Sequence, residues 1–358
     1  MAAPLLIHSL AEFRQLIFEC LELVGPRRIV EIGSEDGTFT TELLQWAKDH
    51  GATVTAVEPL PTPAVAELAT KWPELHLVEE RSPKALEQIE AADVYLVDGD
   101  HNHVTVRGEL EAVYGHDGNR SSVVFLHDVG WPSGRRDMYY DPAGLPPEAV
   151  HPHTYTKGVV PGRDEVVEGG FRGAGHFAWA RHEGGPANGV RTAVEDFLRD
   201  HGDRFCFVTV PCVFGLGVVF PASAPWAEAL GTLLAPYDGN ELLERMEENR
   251  LSLYLAVLAM QDDRTRALQR LEQLQLERRD VDVENRALWA RVAELEAAFG
   301  RLSQQTQAVR DELEALVKSR AFAVVEVLSR ANRLAGRGES NVSRRRLESV
   351  LEAATPGG

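Results

Sequence analysis

Five short apolar runs, Arg28–Ile32, Thr53–Val57, Leu75–Val78, Val94–Val97 and Val123–Leu126, alternate with helix-like segments such as Thr40–Asp49 and Pro63–Lys71. This alternation constrains the fold more than any other feature of the chain. Strands that read as continuous apolar runs are buried on both faces, and parallel neighbours need helical crossovers to cover them. The expected core is therefore an α/β, doubly wound, mostly parallel sheet with helices on both sides. With 358 residues, 44% of them apolar and 26% charged, there is enough chain for one large core and an appendage.

The rest of the chain divides around that core. Leu6, Leu10, Phe13, Leu16, Ile17, Cys20 and Leu21 recur at helical spacing until Gly25-Pro26, which assigns residues 1–25 to a leading helix. The α/β domain is assigned to 26–222, with Phe205–Pro211 and Val213–Phe220 as an antiparallel pair at the sheet edge. Within it, 130–188 is rich in Gly, Pro, His and aromatic residues, too long for a plain connection and too aromatic for simple disorder. It is read as a substrate lid. A helical connector, 223–260, leads to a coiled-coil helix, 261–333, and a flexible tail, 334–358. In the coiled-coil segment Leu288, Val292, Leu295, Phe299, Leu302, Thr306, Val309, Leu313 and Leu316 alternate spacings of four and three. The register is poorer upstream, where Arg278 and Asn285 fall on the seam.

Several function classes are set aside on composition. No apolar run approaches the roughly 20 residues that span a bilayer, and the N-terminus lacks the basic segment of a secretory signal, so a cytoplasmic protein is expected. Cys20, Cys206 and Cys212 show no metal-type spacing and are read as inert thiols. A formal net charge of −18 argues against nucleic acid as a partner. Ala321–Leu328, apolar and followed by arginines, is short for a membrane-surface helix in so acidic a chain.

The first strand ends Val30-Glu31-Ile32-Gly33-Ser34-Glu35-Asp36-Gly37. A strand that stops at glycine and turns into a helix exposes backbone N–H groups to a ligand. A dinucleotide turn would need Gly-x-Gly-x-x-Gly, whereas here Gly33 and Gly37 flank Glu35 and Asp36, which repel phosphate. S-adenosylmethionine, with a sulfonium and an ammonium, suits this loop better. Glu31 is placed to attract the ammonium, and Glu58, one βα unit later, to accept from the ribose hydroxyls. The expected cofactor site is Glu31, Gly33, Ser34, Gly37 and Glu58, with Asp98 beside them.

Glu31-x-Gly33-x-x-x-Gly37 and Glu58 resemble the first two motifs of class I S-adenosylmethionine-dependent methyltransferases over about residues 26 to 222. The resemblance implies a Rossmann-like methyltransferase sheet and leaves the acceptor unspecified.

The fourth strand ends Val97-Asp98-Gly99-Asp100-His101 and the fifth Phe125-Leu126-His127-Asp128. Ligands bind outside the carboxyl ends of such strands, so these carboxylates and imidazoles should converge beside the cofactor. They suit a hard divalent cation, magnesium first, with a histidine to take a proton from a substrate hydroxyl. This second pattern is similar to metal-dependent macrolide-sugar O-methyltransferases and the broader Asp-Gly-x-His group that includes cephalosporin-hydroxylase-like proteins. That resemblance makes Asp98 and Asp128 metal ligands and His101 the base. His127 stands where relatives often carry a second carboxylate, which opens manganese, zinc, or a metal-free enzyme with His127 as a base. Arg135-Arg136-Asp137-Met138-Tyr139-Tyr140 could hold a sugar ring or anion, or close a lid by internal ion pairs; His151-x-His153 lacks further metal ligands nearby.

The resulting expectation is O-methylation of a saccharide or glycosylated metabolite by an enzyme that self-associates through its coiled coil. A phenol-type small-molecule O-methyltransferase and a non-catalytic coiled-coil scaffold of a glycan-assembly complex are the alternatives.

Overall fold

The computed structural model describes residues 6–115, 121–336 and 344–353. It divides into two units, Met1–Thr265 and Arg266–Gly358.

In the first unit the chain opens with a 3-10 turn, Leu10–Phe13, capped by the Ser9 hydroxyl, and continues as α1 (Arg14–Val24) until Gly25 takes a left-handed conformation. Then follow β1 (Arg28–Ile32), α2 (Thr38–His50), β2 (Thr53–Val57), α3 (Pro63–Lys71), β3 (Leu75–Val78), α4 (Ser82–Leu86), β4 (Val94–Val97), α5 (His103–Gly115) and β5 (Val123–His127). Two-residue β6 (Met138–Tyr139) and β7 (His153–Thr154) flank β8 (Ala178–Ala180) in a small antiparallel sheet. After α6 (Val190–His201) come β9 (Phe205–Val210), β10 (Leu216–Pro221) and α7 (Ala227–Leu234).

The main sheet has the order β3-β2-β1-β4-β5-β10-β9. The first five strands are mutually parallel, and β10 runs antiparallel to both β5 and β9. The antiparallel pair expected at the edge is present, with β10 inserted between β5 and the outermost β9. Alternate residues along each central strand feed two cores. Ile29, Val94, Phe125 and Val218 pack with α1, α2 and α7 on one face. Val30, Tyr95, Leu126 and Val219 pack with α5 and α6 on the other. Buried as they are, these aliphatic and aromatic side chains each favour the folded state by roughly 1.5–3 kcal/mol.

The helix α8 runs from Glu241 to Lys318 and carries the expected seam, whose residues Leu288, Leu295, Phe299 and Leu302 are exposed. In the second unit, α9 (Arg320–Leu334) starts at a Ser319 cap and α10 (Arg344–Ala353) lies against the end of α8, where Arg344 donates to the Val317 carbonyl. Of the segment read as a flexible tail, 337–343 and 354–358 lie outside the described residues, and Arg344–Ala353 is helical. Among the described residues no helix is long and apolar enough to cross a membrane.

Candidate functional site

Strands β1, β4 and β5 are neighbours at the centre of the sheet, so their carboxyl ends present three loops to one spot. The loop after β1 can exist only with glycine at its start. Gly33 has φ +86°, and a Cβ there would stand 2.2 Å from the Asp98 carbonyl oxygen. The close approach brings the backbone of the two loops into contact. Gly37 caps α2 at φ +78°, a left-handed conformation that favours glycine, with Leu68 Cδ1 2.9 Å from where a Cβ would stand.

Glu31 is buried in this turn. Its Oε2 accepts from the Thr40 hydroxyl at 2.6 Å and the Ser34 hydroxyl at 3.4 Å. Burial pushes its pKa up to about 7, against those two hydrogen bonds. Glu58, just past β2, accepts the Ser34 N–H at 3.3 Å and the Leu60 N–H at 3.2 Å. Glu31, Gly33, Ser34, Gly37 and Glu58 thus surround a single turn; Thr40, from α2, belongs with them and has no sequence signal beyond its helical position.

The loops after β4 and β5 bring Asp98, His101, His127 and Asp128 together. His127 Nδ1 lies 3.1 Å from Asp98 Oδ1 and 3.0 Å from Asp128 Oδ2, while its Nε2 is 2.9 Å from the Val213 carbonyl. A carbonyl only accepts, so Nε2 carries the proton and Nδ1 faces the two carboxylates. Burial opposes charge on this ring, but Asp98 and Asp128 outweigh it and hold its pKa well above the usual histidine value. Asp98 is pulled the other way: burial would raise its pKa, but His127 and His101 hold it below the ordinary carboxylate range. His101 has Nδ1 3.2 Å from Asp128 Oδ2 and Nε2 3.9 Å from Asp98 Oδ1, and its ring is buried.

Backbone strain holds this cluster. Asp128, Val213 and Phe214 all have positive φ, at 62°, 48° and 63°. For a β-branched residue such as Val213 that conformation is costly, of order 1–3 kcal/mol, and persists only where the surroundings impose it. Here the Glu247 carboxylate accepts the N–H groups of Val213 and Phe214 at 3.1 and 3.0 Å, and Arg250 secures Glu247. From the other end of the chain, the Leu10 N–H donates to Asp98 Oδ2 at 3.1 Å. Neither backbone group leaves a trace in a sequence pattern.

The insert departs from a cationic substrate clamp. Arg135 donates two N–H groups to Glu195, and Arg136 is fully buried, donating to the Ala180 and Asp164 carbonyls. Asp137, also buried, accepts from the His103 and Gly189 N–H groups and the Tyr139 hydroxyl. Through Glu195 on α6 and the His103 N–H on α5, these residues fasten the insert to the domain rather than holding it by ion pairs of its own. His103, on α5, is largely covered and lies 2.8 Å from Asp196. His151 and His153 meet the Ala187 and His151 carbonyls. Among the described residues, the one cluster with metal-ligand geometry is Asp98, His127 and Asp128, whose donor atoms all lie within 4.8 Å of one another. Tyr140 is the insert's contribution to the open side of the site. It is 52% exposed, with its ring 6.1 Å from that of His101 and edge-on to Phe177.

Residues 30–129 match a family model described as a methyltransferase domain. No curated protein matches the chain. Among solved structures, the chain is similar to the SAH-bound methyltransferase PaMTH1 of Podospora anserina at 15% identity, covering 60% of this chain and 79% of that one, with a TM-score of 0.37. It is similar to the 1,6-didemethyltoxoflavin-N1-methyltransferase of Burkholderia thailandensis at 15% identity, 59% and 78% coverage and a TM-score of 0.35. For the O-methyltransferase TomG of Streptomyces achromogenes the values are 14%, 60%, 80% and 0.33. Likenesses at this level identify neither acceptor nor metal. The family match is confined to residues 30–129, a minority of the 358 residues.

Proposed function

We propose that the chain is an S-adenosylmethionine-dependent O-methyltransferase that acts on a hydroxyl of a saccharide or other small molecule, assisted by a divalent cation. The observation that carries this reading is the direct packing of the Gly33 turn on Asp98, which joins a cofactor loop to a carboxylate-imidazole cluster at the centre of the sheet.

When bound, the cofactor supplies an electrophilic methyl group on sulfonium. Glu58 and the N–H groups of the turn suit its ribose and amino-acid ends. Asp98, His127 and Asp128 would hold the cation, which lowers the pKa of a hydroxyl bound to it. A ligating histidine normally donates its other N–H to a carbonyl or carboxylate, as His127 does to Val213. With one nitrogen and two carboxylates the donor set fits manganese or zinc better than magnesium. Both nitrogens of His127 are committed in this arrangement, which suits a ligand and leaves no free atom for a base. His101 takes the base role: its Nδ1 lies 3.2 Å from Asp128 Oδ2, a carboxylate that favours the proton on Nδ1 and leaves Nε2 as the atom to receive the acceptor's proton. Tyr140 offers an exposed ring face beside it, which suits a sugar or a phenol.

The experiment is calorimetric titration with S-adenosylmethionine, followed by a mass-spectrometric acceptor screen for the gain of one methyl group. Binding at micromolar concentration supports the enzyme reading; no binding overturns it and leaves the scaffold alternative. Metal analysis of wild type and His127→Ala separates the cation from the cofactor, with loss of bound metal expected in the variant. We also propose that the α8 seam mediates self-association.

A further inference from the structure

The exposed seam of α8 specifies more than association. Resting on the self-association reading, we infer that two copies pair through a parallel, in-register, two-stranded coiled coil over residues 271–316.

The observed helix is continuous across this stretch, and the three-four alternation gives each position a heptad place. Leu274, Val281, Leu288, Leu295, Leu302, Val309 and Leu316 occupy d. Leu271, Val292, Phe299 and Leu313 occupy a, together with Arg278, Asn285 and Thr306. Every apolar d residue named here is exposed, so a single copy leaves a stripe about 70 Å long bare to water.

Asn285 chooses the orientation. In a parallel in-register pair, a residues face their own counterparts, so Asn285 meets Asn285 of the second copy and the two side-chain amides bond to each other. An antiparallel pair built on the stronger half of the seam matches a with d. Placing Phe299 opposite Leu302 then sets Asn285 against Leu316, and full overlap with Leu271 opposite Leu316 sets it against Leu302, in both cases a polar amide against an apolar side chain.

The flanking charges agree. In parallel pairing, a g residue meets the e residue five positions on in the other copy, which puts Arg291 opposite Glu296 twice. The like-charged couples of this stretch are Arg278 with its own counterpart at a and Glu277 with Asp282 beside it, and they offset one another, since the Arg278 guanidinium already lies 4.0 Å from Asp282.

Disulfide trapping in the full chain tests this. Val292→Cys, at an a position, and Val309→Cys, at a d position, are made separately and oxidised alongside wild type. In the parallel pair each cysteine meets its own counterpart, whereas the antiparallel register with Phe299 opposite Leu302 sets position 292 opposite position 309. Cys20 is buried and Cys206 and Cys212 are partly covered in the first unit, and wild type oxidised alongside reports their background. The expected result is a cross-linked homodimer in both variants and none in wild type, with twice the chain mass by sedimentation equilibrium before oxidation. Cross-linking only when the two variants are mixed would overturn the parallel arrangement while retaining self-association. A trimeric mass would overturn the two-stranded assignment, and a monomeric mass would overturn self-association itself; neither touches the methyltransferase reading. Glu296→Arg should weaken association about tenfold, and Arg291→Glu added to it should restore it; no recovery would count against the register.

Discussion

Glu109→Gln should make the protein progressively more stable than wild type as pH rises. Glu109 lies on α5 with no exposed surface; one carboxyl oxygen is bonded to the Ser82 hydroxyl, and Oε2 has no partner. Burial pushes its pKa from 4.5 to about 8, with the Asp100 charge adding to the shift. The folded state therefore binds this proton more tightly than the unfolded state does. For a carboxyl raised in this way, the stability contribution is full below about pH 4.5 and is lost as pH climbs through 4.5 to 8. At about 1.4 kcal/mol per unit, the cost of keeping Glu109 buried grows by about 4 kcal/mol between pH 5 and pH 9. Glutamine keeps an oxygen for Ser82 and never ionises. Urea unfolding of both proteins at pH 5, 7 and 9, followed by tryptophan fluorescence, should show near equality at pH 5 and a gap of about 4 kcal/mol at pH 9. A gap that does not change with pH would refute the assignment of Glu109 as a carboxyl held neutral by burial.

Gly33→Ala should abolish S-adenosylmethionine binding by calorimetry, because the added Cβ would stand 2.2 Å from the Asp98 carbonyl oxygen. Glu58→Ala should weaken cofactor binding about tenfold, the effect of losing about 1.4 kcal/mol of ribose hydrogen bonding; unchanged affinity would remove Glu58 from the site. Asp128→Ala and His101→Ala should each lower methyl transfer at least about a hundredfold while leaving cofactor affinity within a few-fold, and full turnover in either would refute the chemistry assigned to it. Glu247→Ala should release the strained Val213 turn and reduce bound metal, measurable by elemental analysis of the dialysed protein.

The parallel part of the sheet was legible because burial on both faces writes itself as continuous apolar runs, and Gly33 and Gly37 were legible because both take positive φ and, at Gly33, the approach of the Asp98 backbone excludes a side chain. The convergence of Asp98, His101, His127 and Asp128 followed from the rule that ligands gather at the carboxyl ends of central strands. Less was readable where backbone atoms or long-range partners decide. Arg135 and Arg136 look like a ligand clamp in sequence, yet Glu195 and the Ala180 and Asp164 carbonyls lie far along the chain and consume them. The same holds for His127, whose Nε2–H is oriented by a carbonyl 86 residues away. The insert hid its small sheet because β6 and β7 are two residues each, too short to show a period.

The donation from Leu10 to Asp98 and the acceptance by Val213 from His127 bear on how the site comes into being. All four side chains of the cluster fall within residues 30–129, the stretch that matches the family model. The two backbone groups that aim them lie outside it, one on either side. During synthesis the carboxylates and imidazoles emerge long before Val213 does, so a partly made chain owns the donor atoms without their orientation. On the cation reading proposed above, tight metal capture should therefore wait until the first unit has closed around both ends.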